Sequence, residues 1–363
     1  MKISLFNAAA LLGAAMLVFA CKPENLNDVN TDATILPGAK VNVNTNASAD
    51  LGFATNKGTA RDADKNLYVK SEEKTLTEVL SDSELESENG AVLKSDLSIA
   101  PDKALPEVLE ESTDYAFVNP CVKVEIENPA DFDVMYDSNL QTEVTKAGAK
   151  SLKLPTITIP AKTRLVLFVS AKGGLAKRTG EMDVVLPAIT DGYKPMPSVI
   201  KVTDMIFRKI IKKSGMKAAE DKTYEFTVSA CNFTPLVVMP GSKLLLSYKA
   251  TDLFKFDDVN DASTHFTAEG SITNKMAFDI EASADSQVND AYATVDNVIK
   301  AKATTDFKGD LYTPGGLIQA KDMVLHFIFT AVEETAFDPQ KDQLIVNITS
   351  ITYPEGVNIS LNK

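Results

Sequence analysis

The chain contains no tryptophan and only four arginines, Arg61, Arg164, Arg178 and Arg208, among 363 residues. Tryptophan is the largest amphipathic ring available for stacking, so any such contact falls to tyrosine or phenylalanine. Arginine provides the planar fork that grips phosphate or carboxylate bidentately, and its scarcity removes most of that recognition mode. Positive charge is in deficit overall, 37 Lys and Arg against 50 Asp and Glu, for a formal charge of −13. A field of that sign repels a phosphate backbone and excludes nucleic acid as a partner. Histidine is limited to His265 and His326, so neither an HExxH zinc site nor a three-histidine cage is available. Nucleophile-elbow, P-loop and GxGxxG sequences are missing. After the N-terminal segment, no apolar run is long enough to cross a bilayer as a helix.

What is present describes a folded chain, 44% hydrophobic and 24% charged, long enough for two domains with a core each. Its first residues, MKISLFNAAALLGAAMLVFAC, carry one positive charge, an apolar run from Leu5 to Phe19, and small Ala20 before Cys21. This is the pattern of an export signal; the run is too short for a spanning helix. The ending Leu17-Val18-Phe19-Ala20-Cys21 resembles the lipobox of bacterial lipoproteins, with Phe19 bulkier than the small residue usual there. That resemblance implies acylation at Cys21, removal of residues 1–20, and membrane attachment through the N-terminal lipid. The polar KPENLNDVNTD after Cys21, with the low Arg and high Lys and Asn content, is similar to envelope lipoproteins of the Bacteroidetes group. It implies an outer-membrane location, facing the cell surface or the periplasm.

Self-similarity sets the expected organisation. Val122–Asn128 is followed by PAD and then Phe132-Asp133-Val134; Gly270–Asn274 is followed by KMA and then Phe278-Asp279-Ile280. Ile159-Pro160-Ala161-Lys162 before RLVLFVSA is matched with Ile318-Gln319-Ala320-Lys321 before MVLHFIFTA, and VIKVTDMI from Val199 with IVNITSIT from Ile345. Three matches in one order predict two copies of one domain. The segments are rich in Val, Ile, Thr and Phe, run five to eight residues, and are bounded by Pro, Gly, Asn and Asp, which reads as antiparallel β-strands. The expected fold is all-β: two tandem immunoglobulin-like β-sandwiches, with a short helix or irregular insertion in the first. The expected boundaries are a signal peptide at 1–20, a flexible tether at 21–40, domains at 41–213 and 223–363, and a linker at 214–222. EEKTLTEVLSDSELESE from Glu72 is the best helix candidate. Residues 207–213 read either as a closing edge strand guarded by lysines or as a basic amphipathic helix.

Few residues point to chemistry. His326 sits in MVLHFIF, where alternation places it on the face opposite Leu325 and Phe327, and the sequence offers it neither a nucleophile nor an orienting acid. The two S-x-x-K matches, at Ser71 and Ser214, lack the companion motifs of penicillin-binding enzymes. Asp62, Asp64, Asn66 and Glu73 have the spacing of ligands in an EF-hand calcium loop, but Leu67 occupies the place of the turn glycine and no entering helix precedes them. Asp257, Asp258, Asn260 and Asp261 are the right ligand type without a recognised spacing. Cys121 and Cys231 lack CxxC character, and the repeat puts them in different domains. The expectation is a non-enzymatic protein without a cofactor that binds a glycan, a protein partner or another subunit through loops at the sandwich ends. A fimbrial or adhesin component is the alternative, which a swappable terminal strand would favour; a hydrolase with an unrecognised site is a second.

Overall fold

The computed structural model describes residues 33–35, 39–50, 59–61, 66–105, 107–144, 148–211, 221–249, 264–314, 322–336, 343–353 and 357–359. Strand dominates, as the β-branched and aromatic composition of these segments requires. One unit comprises residues 55–106 and 113–239; it is inserted into a second, which takes strand Ala39–Asp50, the stretch Glu107–Ser112 and the chain from Pro240 onward.

The inserted unit is a sandwich of two sheets. In one, strands Glu181–Val185, Thr163–Ser170, Cys121–Asn128, Thr223–Pro235, Leu67–Lys70 and Thr59–Arg61 lie in that order, with Lys74–Ser81 also paired to Thr223–Pro235. In the other, Gly148–Lys153, Val134–Val144, Val199–Lys209 and Ala91–Val92 follow one another, with Ile157–Ile159 and Leu97–Ile99 on their flanks. Pairing is antiparallel except between Thr163–Ser170 and Glu181–Val185. The inner faces meet through aromatic rings: Phe207 lies 4.7 Å from Phe226 of the opposite sheet and 5.1 Å from Tyr136, and all three are buried.

The interrupted unit carries one eight-stranded sheet in the order Lys243–Lys249, Met323–Ala331, Phe278–Ser286, Tyr292–Val295, Ala303–Thr313, Thr264–Asn274, Gln343–Tyr353, Ala39–Asp50. Strict alternation in Met323–Ala331 turns Met323, Leu325, Phe327, Phe329 and Ala331 into the core. Phe278 and Ile280 join them from the neighbouring strand.

The two Asn motifs make the same side-chain clamp. Asn128 donates to the carbonyls of Phe132 (2.9 Å), Ile159 (3.2 Å) and Pro160 (3.0 Å) and accepts the Ala130 amide. Asn274 donates to the Phe278 carbonyl (2.7 Å) and accepts the Met276 amide. Each copy adds an aspartate that accepts a backbone amide, Asp133 from Ala161 and Asp279 from Ala301, and a left-handed lysine, Lys162 (φ 55°) and Lys302 (φ 52°). Val134 pairs with Ile159 as Ile280 pairs with Ile299. The partner of Ile159–Lys162 is therefore Ile299-Lys300-Ala301-Lys302; Ile318–Lys321 lies outside the described residues except as sequence.

Pairing also corrects the third match. Val199–Lys209 lies on Val134–Val144 as Met323–Ala331 lies on Phe278–Ser286. Thr223–Pro235 lies on Cys121–Asn128 as Gln343–Tyr353 lies on Thr264–Asn274. Lys74–Ser81 then completes one copy as Ala39–Asp50 completes the other. The expected boundaries shift accordingly: Thr223–Pro235 closes the first copy, so the units divide after Met239 rather than at 214–222. The second copy takes its last strand from the N-terminal side of the chain, and Ala33–Ile35 and Ala39–Asp50 are strands where the tether was expected to run to residue 40.

Three local expectations change. Lys74–Ser81 is a strand, and the helix is confined to Asp82–Leu85, started by a Ser81/Glu84 capping box. Residues 207–209 are strand, but an internal one, and the basic heads are occupied: Arg208 bonds Asp137 at 2.6 Å, and Lys209 reaches Asp82 and Glu86 and lies over the Phe132 ring. Cys121 and Cys231 share the inserted unit, one strand apart, both buried as free thiols.

Candidate functional site

Alternation drives half of the residues outward in the six strands from Lys243–Lys249 to Thr264–Asn274 of the eight-stranded sheet, and the register aligns them into rows across the strands. One row runs Lys249, Val324, Asp285, Tyr292, Tyr312, His265. Beside it runs Ser247, His326, Ser283, Thr294, Asp310, Thr267. Both histidines of the chain thus fall on one face, brought together from strands distant in sequence. The interior side of the same strands is Leu246, Phe327, Ala284, Ala293 and Leu311, which fixes the outward set because a one-residue slip would bury it.

The centre of the face is a connected cluster. The Asp310 carboxylate bonds His265 Nε2 at 2.9 Å through one oxygen and accepts the Tyr292 hydroxyl at 3.1 Å through the other. The Tyr292 and Tyr312 rings are 5.7 Å apart, tilted by 41°, and His265 stands edge-on to Tyr312 at 5.7 Å. Tyr292 is 37% exposed while its hydroxyl is held by Asp310. Partial burial raises the Tyr292 phenol above its ordinary range, and the Asp310 hydrogen bond and charge push it the same way.

A second cluster adjoins it. Ser247 Oγ lies 3.2 Å from His326 Nδ1, and His326 Nε2 lies 3.7 Å from the Asp285 carboxylate. These are the residue types of a hydrolytic triad, but the carboxylate is beyond hydrogen-bond reach and cannot orient the ring. The strand of His326 is also paired on both sides, so its amides serve the ladder.

The other candidate residues are dispersed. Asn66 and Glu73 are exposed, while Asp62, Asp64 and the Asp257–Asp261 cluster lie outside the described residues, as does Cys21. Among the described residues no group of three His, Cys, Asp or Glu side chains could hold a metal ion. His326 sits opposite Leu325 and Phe327, as alternation required. The sequence did not reveal its company, because Ser247 and Asp285 lie far from it along the chain and only the register brings them near.

No family model matches the chain, and no curated protein does. Among solved structures it is similar to a protein of Parabacteroides distasonis described as a candidate secreted protein: 12% identity, 89% of this chain and 99% of that one, TM-score 0.51. At that identity the likeness is one of fold. A tandem CBM22 pair from Paenibacillus barcinonensis aligns over 89% of this chain and 100% of its own at 7% identity, with a TM-score of 0.22, too low to bear on fold or function.

Proposed function

We propose that this chain is a lipid-anchored, non-enzymatic binding protein of the bacterial cell envelope. In this reading it is attached to the outer membrane through acylated Cys21 and presents the outward face of the eight-stranded sheet to a glycan, a protein partner or an assembly subunit. The observation that carries the reading is the cluster of Tyr292, Tyr312, His265 and Asp310, in which ring orientations are fixed before any ligand arrives. The export signal ending at Ala20-Cys21 and the likeness to a protein described as secreted support the location. The face replaces the loop ends expected from sequence as the candidate surface. Cys21→Ser should release the protein from the membrane fraction or stall its processing. Retention in membranes after a high-salt wash would refute the anchor. For the face, Tyr292→Ala and Tyr312→Ala should lower binding of intact cells to their ligand without changing surface abundance; undiminished binding would refute it.

A second reading, a subunit that assembles by strand exchange, is favoured by one observation. Among the described residues Ala39–Asp50 is the last strand at one edge of the sheet, and it comes from the far side of the inserted unit in sequence. Filaments formed by the purified mature chain, seen by electron microscopy, would replace the first reading with this one.

A further inference from the structure

We infer that the outward face of the eight-stranded sheet takes a neutral glycan chain lying across the strands. This rests on the reading of that face as the ligand surface and names what the ligand is. The first argument is spacing. Neighbouring strands stand about 4.8 Å apart, close to the width of one pyranose ring, so a polysaccharide crossing the sheet meets one outward residue per sugar. At the centre of the row those residues are Tyr292, Tyr312 and His265 on three consecutive strands, and the two tyrosine rings offer stacking surfaces to the C–H faces of successive sugars.

The second argument is polarity. The adjacent row carries Ser247, His326, Ser283, Thr294, Asp310 and Thr267, short side chains that donate to and accept from hydroxyl groups. Asp310 already orients His265 and Tyr292, so little side-chain freedom remains to be lost on binding.

The third argument is charge. The outward positions around the cluster include Glu269, Asp279, Glu281, Asp285, Asp306 and Asp310, against Lys243, Lys249 and Lys308, with Lys300 paired to Asp279, on a chain of net charge −13. A uronate-rich or sulfated polymer would be repelled. A protein partner fits less well, because interfaces draw their strongest contacts from Trp, Tyr and Arg in desolvated pockets. This face has no Trp, none of the four arginines, and tyrosines on an open sheet. With tyrosine alone as the stacking ring the single-site affinity is weak, with a dissociation constant on the order of 0.1–1 mM, which a polymer spanning many anchored copies turns into firm adhesion.

The test is affinity electrophoresis of the chain from residue 21 onward carrying Cys21→Ser, through gels containing hydroxyethylcellulose, yeast mannan or starch. Polygalacturonate and heparin serve as anionic counterparts. At least one neutral polymer should retard the protein. Tyr292→Ala or Tyr312→Ala should weaken that retardation tenfold or more, Asp310→Asn should weaken it less, and Val185→Ala, exposed on the inserted unit, should leave it unchanged. Circular dichroism must show the variants folded. Retardation by none of the neutral polymers, only by the anionic ones, or equally by the tyrosine variants overturns the inference. If cells instead bind a protein ligand and lose it with the same tyrosine changes, the glycan assignment fails while the face stands as the ligand surface. If neither glycan nor cell-borne ligand responds to the tyrosines, both fall.

Discussion

At the scale of single residues, the repeated Asn-x3-Phe-Asp motif shows how one pattern is used with different weight in its two copies. Phe278 is fully buried, opens strand Phe278–Ser286 and lies 6.2 Å from Phe329, whereas Phe132 is half-buried before its strand and sits between Tyr224 and the Lys209 ammonium. Phe278→Ala should therefore cost ~3–5 kcal/mol in chemical denaturation. Phe132→Ala, which loses a partial burial and one cation–π contact, should cost roughly 1–2 kcal/mol; equal losses would contradict the asymmetry. The aspartate of the motif gives a pH signature. Partial burial alone would raise the Asp279 carboxyl, but the Lys300 ammonium and the Ala301 amide, each at 2.8 Å, outweigh it and hold the group below the usual carboxylate range. A carboxyl lowered by folding contributes stability that is complete above its unfolded pKa and is lost as the pH falls through the folded value. Asp279→Asn should accordingly flatten the acid limb of the stability curve and lower the plateau near neutrality. The two core thiols behave in the opposite sense. Burial pushes Cys121 far above the ordinary thiol range, with the nearby Cys231 and Asp183 adding to it, and pushes Cys231 up to about 11. Neither should react with a thiol reagent in the native state at pH 7, and both should react once denaturant is added without reductant. Silence in denaturant would reveal a disulfide.

At the scale of elements, the strand Ala39–Asp50 connects sequence to assembly. Its pairing to Gln343–Tyr353 reproduces that of Lys74–Ser81 to Thr223–Pro235 in the other copy, down to occupying the flank opposite the Asn-motif strand. Deleting residues 39–50 from the full chain leaves the Gln343–Tyr353 edge open. In calorimetry the melting of the interrupted unit should fall, while the inserted unit, whose two sandwich sheets are built from its own strands, keeps its transition; a peptide of residues 39–50 added in trans should restore the first. An unchanged thermogram would refute the assignment. This strand was hidden in the sequence because its many Asn, Ala and Asp residues have weak β-propensity. Lys74–Ser81 was misread for the opposite reason: Leu76, Val79 and Leu80 satisfy a helical spacing, yet the real helix starts only at the Ser81 cap. The Asn motif was legible because a buried amide that satisfies several carbonyls tolerates little substitution. Its true companion, Ile299-Lys300-Ala301-Lys302, was equally visible as Ile-x-Ala-Lys, but Ile318–Lys321 has the same form and precedes a stronger apolar run. The outward face could not be read at all. It is made by register across strands from 243 to 330, and a register has no local sequence signal when the aligned residues are single tyrosines, serines and aspartates.

At the scale of the whole molecule, one unit is inserted in the sequence of the other. If strands had been exchanged only within each copy, the chain would divide at 214–222; instead Thr223–Pro235 belongs to the sheet with Cys121–Asn128, and Ala39–Asp50 to the sheet with Gln343–Tyr353. The consequence is testable with three shortened forms of the chain. Residues 55–239 contain every strand of the inserted unit and should unfold in a single cooperative transition. Residues 223–363 begin with a thirteen-residue strand deprived of its partners, Cys121–Asn128 and Lys74–Ser81, and lack the strand that covers Gln343–Tyr353. They should aggregate or melt without cooperativity, because both an unpaired strand and an open edge invite association. Residues 39–54, 107–112 and 240–363, joined in that order by flexible Gly/Ser linkers of about 16 residues with a mean reach of roughly 22 Å, bring together the segments of the interrupted unit, restore the missing edge and remove the orphan strand. That chimera should fold and, because the Tyr292, Tyr312, His265 and Asp310 cluster lies wholly within it, should bind as the full chain does. A cooperative fold for 223–363 together with an unfolded chimera would place the boundary back at the linker and undo the nesting.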